Sequence, residues 1–232
     1  MPPILDVDIS SFHQAYTSGL IHRLSQFSSK AFDYMIYHTS SQYDYYKEYF
    51  PWLKDKCKFI PFGVDYDYWK LKTYKDIQEK NQYIVCVGYR KRDWNTLLEA
   101  FGRSDISENL YLIGNPNIKC DNPKVKVLPF IPIDELMTYI VNARFSVVPL
   151  DDFNYSFGQM TLLQQMALGV PILAADVPAI RDYCNCSNGV MSYKPYDSSD
   201  LAQKLVQMSN YSEDIMNAMA QDNMTATKTS LS

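Results

Sequence analysis

The sequence predicts an α/β domain built on a doubly wound parallel sheet, preceded by a shorter segment of different character. Two observations carry that reading. From residue 83 onward, short β-rich runs alternate with stretches of helical period. The runs are also near-continuously apolar rather than alternating, as strands are when helices cover both faces of a parallel sheet. Alternating β and α elements imply right-handed crossovers and an open sheet.

The elements follow in order. "QYIVCVG" (82–88) is a compact apolar strand. "DWNTLLEAFG" (93–102) follows as a helix, with Asp93 as N-cap and Gly102 just past the end. "NLYLIG" (109–114) and "VKVLPF" (125–130) are strands. "PIDELMTYIVNA" (132–143) is a helix with proline at its first turn and acidic residues early. "FSVVPL" (145–150) is a strand, a helix covers about 158–168, and "VPILAAD" (170–176) is the next strand. "GVMSYKP" (189–195) is the last strand and "SSDLAQKLVQMSN" (198–210) the last helix.

Residues 1–80 are tyrosine-rich and mostly helical in pattern, with "YMIYHTS" as one short strand. "KFIPFGVDYDYWK" (58–70) reads as a strand ending in a glycine turn, and the polar stretch 72–82 as the boundary. The expected organisation is therefore a partial segment and linker over 1–80, the sheet domain over 81–212 and a polar tail over 213–232.

Composition narrows the function classes. Hydrophobic residues are 47% and charged residues 21%, enough apolar material for a core, and a formal charge of -4 gives no polybasic field for nucleic acid. No apolar run reaches the length of a membrane span, and the N-terminus shows no basic patch followed by an apolar core. The five cysteines are odd in number and form no pair of CxxC units, which points to a reduced, cytoplasmic protein. Cys184 and Cys186 give a weak metal hint, but no histidine lies near them in sequence.

The chemistry gathers at the ends of two strands. In an open parallel sheet, ligands bind beyond the C-terminal strand ends. "DDFNYSFG" joins one strand to a helix beginning near Gly158. Amides at a helix start are unpaired, the dipole favours an anion, and glycine lets a phosphate approach. Leu163, Met166 and Ala167 would face the sheet, leaving Gln159 and Gln164 toward the ligand edge or solvent. A plain turn glycine and a solvated helix face would give the same letters. "VGYRKRDW" adds weight to the phosphate reading, because it sets Arg90, Lys91 and Arg92 at the same sheet edge. No GxGxxG or GxxxxGK[ST] occurs.

These segments resemble the nucleotide-sugar-binding half of retaining GT-B glycosyltransferases of family 4. The resemblance runs through "FIPFGVDYDYW", "YIVCVGYRKRDWNTLLEAF", "LYLIGNPN", "VKVLPFIPIDELMTYIVNARFSVVPL" and "SFGQMTLLQQMALGVPILAADVPAIRDY", and covers roughly residues 30–210. It implies a Rossmann-like C-terminal GT-B domain with a remnant of the N-terminal domain. It implies a nucleotide diphosphate sugar as donor, a saccharide or lipid-linked acceptor, and no cofactor or metal. Arg92 and Arg90 would stabilise the leaving diphosphate. Gly88, Phe157, Gly158, Gln159 and Met160 would surround it, and the loops at Gly114 and Phe130 would line the base pocket. Members often carry Glu-x(7)-Glu here. Those positions fall at Ser156, near the donor sugar, and Gln164, at the ribose hydroxyls. Both carboxylates are replaced, although a sub-group with Gly-Gln-Met in the loop is similar to this chain. The basic pair is one residue tighter than usual, with Tyr89 where arginine is common.

Most of the family's first domain has no counterpart here, so the sequence reads as a fragment or a short form that binds donor weakly and turns over little alone. Without its normal cover, the apolar face with Phe32, Met35, Ile36, Tyr37 and Phe50 should seek a partner chain, self-associate or pack down onto the donor domain. Two other functions stay open: a non-catalytic nucleotide-sugar-binding subunit, and an epimerase, which would need a carboxylate and histidine cluster. "YYKEYFPWLKDKCKF" suits either a plain surface helix or peripheral membrane contact. His13 and His38 read as acid/base groups or as structural histidines, and Asp151 and Asp152 as sugar-orienting or merely solubilising.

Overall fold

The computed structural model describes residues 19–31, 33–70, 82–88, 90–114, 117–152 and 157–230, and contacts divide the chain into two units between Pro61 and Phe62. Ser156, Tyr89, Phe32, His13 and nearly all of the 72–82 boundary lie outside the described residues.

The first unit holds α1 (Gly19–Ser28), β1 (Met35–Tyr37), α2 (Ser40–Tyr49), a 3-10 turn (Pro51–Lys56) and β2 (Cys57–Phe59). β1 and β2 pair in parallel with Ile36 opposite Lys58, so the unit contains one β-α-β crossover. Thr39 caps α2 by accepting from the Gln42 amide. Tyr37 stacks on Tyr43 at 5.2 Å and packs on Phe59 at 5.4 Å. His38 Nδ1 lies 2.7 Å from the Ile60 carbonyl oxygen. A carbonyl only accepts, so that nitrogen carries the proton and ties the ends of the two strands. This is a structural role for His38. In the aromatic and lysine-rich stretch, Phe50 and Leu53 are buried, and Lys56 donates to the Ser29 carbonyl at 3.0 Å.

The second unit runs α3 (Tyr66–Lys70), β3 (Tyr83–Val87), α4 (Trp94–Arg103), β4 (Asn109–Ile113), β5 (Val125–Leu128), α5 (Ile133–Val141), β6 (Phe145–Val148), α6 (Gln159–Ala167), β7 (Ile172–Ala175), α7 (Pro178–Cys184), β8 (Val190–Tyr193), α8 (Ser198–Ser209) and α9 (Glu213–Ser230). Its six strands lie in the order β5-β4-β3-β6-β7-β8, every neighbouring pair parallel. β6 and β7 are buried along their whole length, whereas the edge strands β5 and β8 are only partly covered. That accounts for the continuous apolar runs at the centre. Leu163, Met166 and Ala167 are fully buried, as their spacing predicts.

Three local expectations are corrected. Gly102 lies inside α4, on a face with open space where a side chain would go, and the helix ends beyond it at Ser104. "PAIRDYC" forms α7, started by Pro178 at its first turn, where the sequence suggested no helix. The segment read as a polar tail forms α9. Its buried stripe is Met216, Met219, Asn223, Ala226 and Thr227, so two of its members are polar and hydropathy misses it.

Asn223 is fully buried and fully used. Its amide donates to the carbonyls of Val170 at 2.7 Å and Gly189 at 3.1 Å, and its oxygen accepts from the Ser187 hydroxyl at 2.7 Å. A Cβ at Gly189 would lie 2.1 Å from the Met219 carbonyl, so that glycine is what lets α9 approach. Separately, buried Glu108 pairs with Arg144 at 3.1 Å and accepts from the Ser209 hydroxyl. These bonds fasten the N-terminal ends of the strands. Asn223→Ala strands two buried carbonyls and should destabilise the domain by about 1–3 kcal/mol. Urea denaturation should show a lower midpoint at unchanged slope. A loss below about 0.5 kcal/mol would mean that α9 is not integral to the core.

Candidate functional site

The strand order sets the location. β3 connects toward β4 and β6 connects toward β7, in opposite directions, so the loops leaving these adjacent strands diverge at a topological switch point. The backbone ties the two loops together. The Asp93 amide donates to the Pro149 carbonyl at 2.8 Å, the Asp151 amide donates to the Lys91 carbonyl at 3.2 Å, and Arg92 bridges Leu150.

Arg92 sits at this junction and is 8% exposed. Its Nε donates to the Val87 carbonyl at 3.2 Å, Nη1 to the Arg90 carbonyl at 3.1 Å, and Nη2 to the Thr161 hydroxyl at 3.4 Å. The Phe157 ring lies 6.0 Å from the guanidinium carbon. All the hydrogen-bond acceptors are neutral, and among the described residues no carboxylate pairs with it. Burial pulls its pKa below the usual guanidinium range. An arginine nonetheless remains charged, so a full positive charge is held with no direct counter-charge. Asp151, the nearest candidate, has its own pKa raised by burial and by Asp93, with Lys91 and Arg92 pulling the other way.

The glycines make room for this. Gly88 has φ +117°, and a Cβ there would stand 2.7 Å from Arg92 Nη2. Its amide donates to the Ile113 carbonyl at 2.9 Å. Gly114, at φ +101°, abuts the Gly88 carbonyl and the Phe130 ring, each 3.5 Å from where its Cβ would be. Gly88, Gly114 and Phe130 are thus brought together, with the Phe130 ring 67% exposed at the ends of β4 and β5.

Gly158 is the N-cap of α6, at φ +85°. No side chain caps α6, nor α5 or α7, whereas Asp93 caps α4 and Asp197 caps α8. A Cβ at Gly158 would meet Leu150 Cδ1 at 2.6 Å, so the residue has a structural reason to be glycine. Gln159 does not face the ligand edge or solvent. It is buried, and its amide donates to the Ala179 carbonyl at 2.6 Å, tying α6 to α7. Met160 is exposed. Gln164 is half-buried, about 9 Å further along the helix at 1.5 Å per residue, and its side-chain amide has no partner among the described residues. Arg90 is exposed at the rim.

Sequence reasoning missed Thr161, which receives Arg92, and Leu150, the floor under Gly158. It also missed Tyr196, whose hydroxyl accepts from the Asp152 amide at 2.8 Å. Thr161 and Leu150 lie within the quoted segments but carry no chemistry of their own there, so only the three-dimensional arrangement shows these roles. At the Cys184 and Cys186 pair, burial pushes the Cys184 thiol up to about 12, while Cys186 is exposed and donates to the Asp182 carbonyl. Among the described residues no helix is long and apolar enough to cross a membrane.

Known proteins place this geometry. The family model described as glycosyl transferases group 1 matches residues 45–210. No curated protein matches the sequence. Among solved structures, HepE of Anabaena in complex with UDP-glucose superposes with a TM-score of 0.71 at 15% identity, over 98% of this chain and 67% of that one. A glycosyltransferase of Rickettsia africae gives 0.69 at 17% identity, over 96% and 63%. The sucrose-phosphate synthase of Thermosynechococcus elongatus gives 0.65 at 15% identity, over 93% and 60%. The chain thus spans about three fifths of the last two structures. These structures share its fold, that of GT-B glycosyltransferases, and the sequence match extends over most of the chain. The protein belongs to the group 1 glycosyl transferases.

Proposed function

We propose that the second unit binds the diphosphate of a nucleotide sugar, and that the whole protein transfers the sugar to a saccharide or lipid-linked acceptor. The buried guanidinium of Arg92, which among the described residues donates only to neutral acceptors, carries this reading. A diphosphate at the uncapped start of α6 would supply a direct counter-charge and accept from the helix amides. As the sugar–phosphate bond breaks, charge builds on the leaving diphosphate, and groups already aimed at it stabilise that charge without reorganising. Arg90 at the rim adds a second cation. Gln164 bonds a ribose hydroxyl through its free amide, and Phe130 beside Gly114 offers a face for the base. HepE is seen with UDP-glucose, which makes a uridine nucleotide the first donor to test. Transfer with retention follows the family resemblance, and no metal is needed where cations and the helix dipole serve. Glutamine at position 164 and serine at 156, where relatives often carry carboxylates, favour a second reading as a non-catalytic donor-binding subunit.

Removing the cation tests the binding mode. Arg92→Ala should weaken binding of UDP, or of GDP if the parent prefers it, by about 1.5–3 kcal/mol, the value of a hydrogen bond to a charged group. Arg92→Lys should recover only part, because a point charge cannot hold the fork geometry. Unchanged calorimetric affinity in Arg92→Ala would refute it. Gly158 gives a different signature. Its left-handed backbone means that Gly158→Ala should cost about 1–2 kcal/mol of stability, read by thermal denaturation. A variant of unchanged stability would show that the turn relaxes freely.

A further inference from the structure

Among the described residues, only two that are not glycine have positive φ: Lys91 at 54° and Tyr196 at 60°. They lie in separate loops, after β3 and after β8, yet both close on the same short segment. The Lys91 carbonyl accepts from the Asp151 amide at 3.2 Å, and the Tyr196 hydroxyl accepts from the neighbouring Asp152 amide at 2.8 Å. Residues with bulky side chains occupy this backbone region only when their surroundings hold them there, and such strain gathers at functional sites. The clamped segment also borders the proposed donor site. Leu150, one residue earlier, bridges Arg92 and lies where a Cβ at Gly158 would go. A shift of Asp151 and Asp152 therefore moves the floor beneath Gly158 and the strand partner of Arg92 together.

We propose that Tyr196 is a positioning residue for donor binding, holding the 150–152 segment through its hydroxyl so that Arg92 and the start of α6 meet one diphosphate. The inference rests on the donor-binding reading above. Tyr196 itself is 58% exposed and does little for the core. Its ring reaches the segment from β8, the edge strand, so the clamp ties one end of the sheet to the switch point.

The test compares Tyr196→Phe with Tyr183→Phe. Tyr183 also accepts a backbone amide, that of Phe62 at 2.8 Å, but it is buried in the core. Calorimetry with UDP or GDP, whichever the parent binds more tightly, is paired with thermal denaturation and amide hydrogen exchange. Tyr196→Phe should weaken binding about 3- to 10-fold, the worth of one neutral hydrogen bond. It should speed exchange of the Asp152 amide and leave the melting midpoint within about 2 °C. Tyr183→Phe should lower the midpoint and leave affinity unchanged. Parent-like affinity in Tyr196→Phe, with Arg92→Ala still impaired, would overturn this inference alone. No nucleotide binding by the parent would overturn the donor-binding reading and this inference with it. Equal losses of affinity in both tyrosine variants would show a general structural effect and also overturn it.

Discussion

Arg92 places a full positive charge inside the domain among carbonyl and hydroxyl oxygens, and the loops beyond the C-terminal strand ends are arranged around that fact. A buried cation without a counter-charge costs several kcal/mol even after relaxation. The sequence around it bears that cost locally. Gly88 has no side chain because one would strike the guanidinium. Phe157 covers the charge with an aromatic ring. The backbone of the second loop is stitched to the first at Pro149 and Lys91. Each of these features is hard to explain if the site is only a turn, and each follows if the cation is held ready for an anion.

Backbone strain has the same distribution. Gly88, Lys91, Gly114, Gly158 and Tyr196 all have positive φ, and all lie in loops beyond the C-terminal ends of strands. Gly169, between α6 and β7, is the exception, and there Met224 of α9 packs where a side chain would stand. At about 1–3 kcal/mol for a strained non-glycine residue, Lys91 and Tyr196 represent a real fraction of the stability of a domain this size. The opposite edge supplies the rigidity that sustains them. There Asn223, the Glu108–Arg144 pair and Gly189 lock α9, α8 and the strand starts together. The domain is heavily bonded at one edge and holds its strained residues at the other.

Much of this was legible in the sequence, for reasons that can be named. Strands buried on both faces leave continuous apolar runs, so the four central strands could be read from them, the edge strands β5 and β8 were read from shorter runs, and Asp93 announced its helix by its position alone. Arg92 and Gly158 stood out because loop composition and sheet topology both point to them. What failed depended on contacts between distant parts of the chain. α9 hides its buried stripe behind Asn223 and Thr227, whose burial is tolerable only because their hydrogen bonds are satisfied. Gln159 looked like a ligand-edge amide, but Ala179, brought close by the unforeseen α7, takes its hydrogen bond. Tyr196 carried no signal, since a tyrosine in a turn has no reason to be there until Asp152 is seen across from it.

The central claim is that Arg92 awaits a diphosphate, and the position of the bound phosphate tests it most directly. A crystal structure of the chain soaked with UDP should place phosphate oxygens at roughly 2.7–3.2 Å from the Arg92 guanidinium and from the amides that open α6. The guanidinium should exchange at least one of its present neutral acceptors for phosphate. Uridine diphosphate bound elsewhere, with Arg92 still held by Val87, Arg90 and Thr161, would contradict the account.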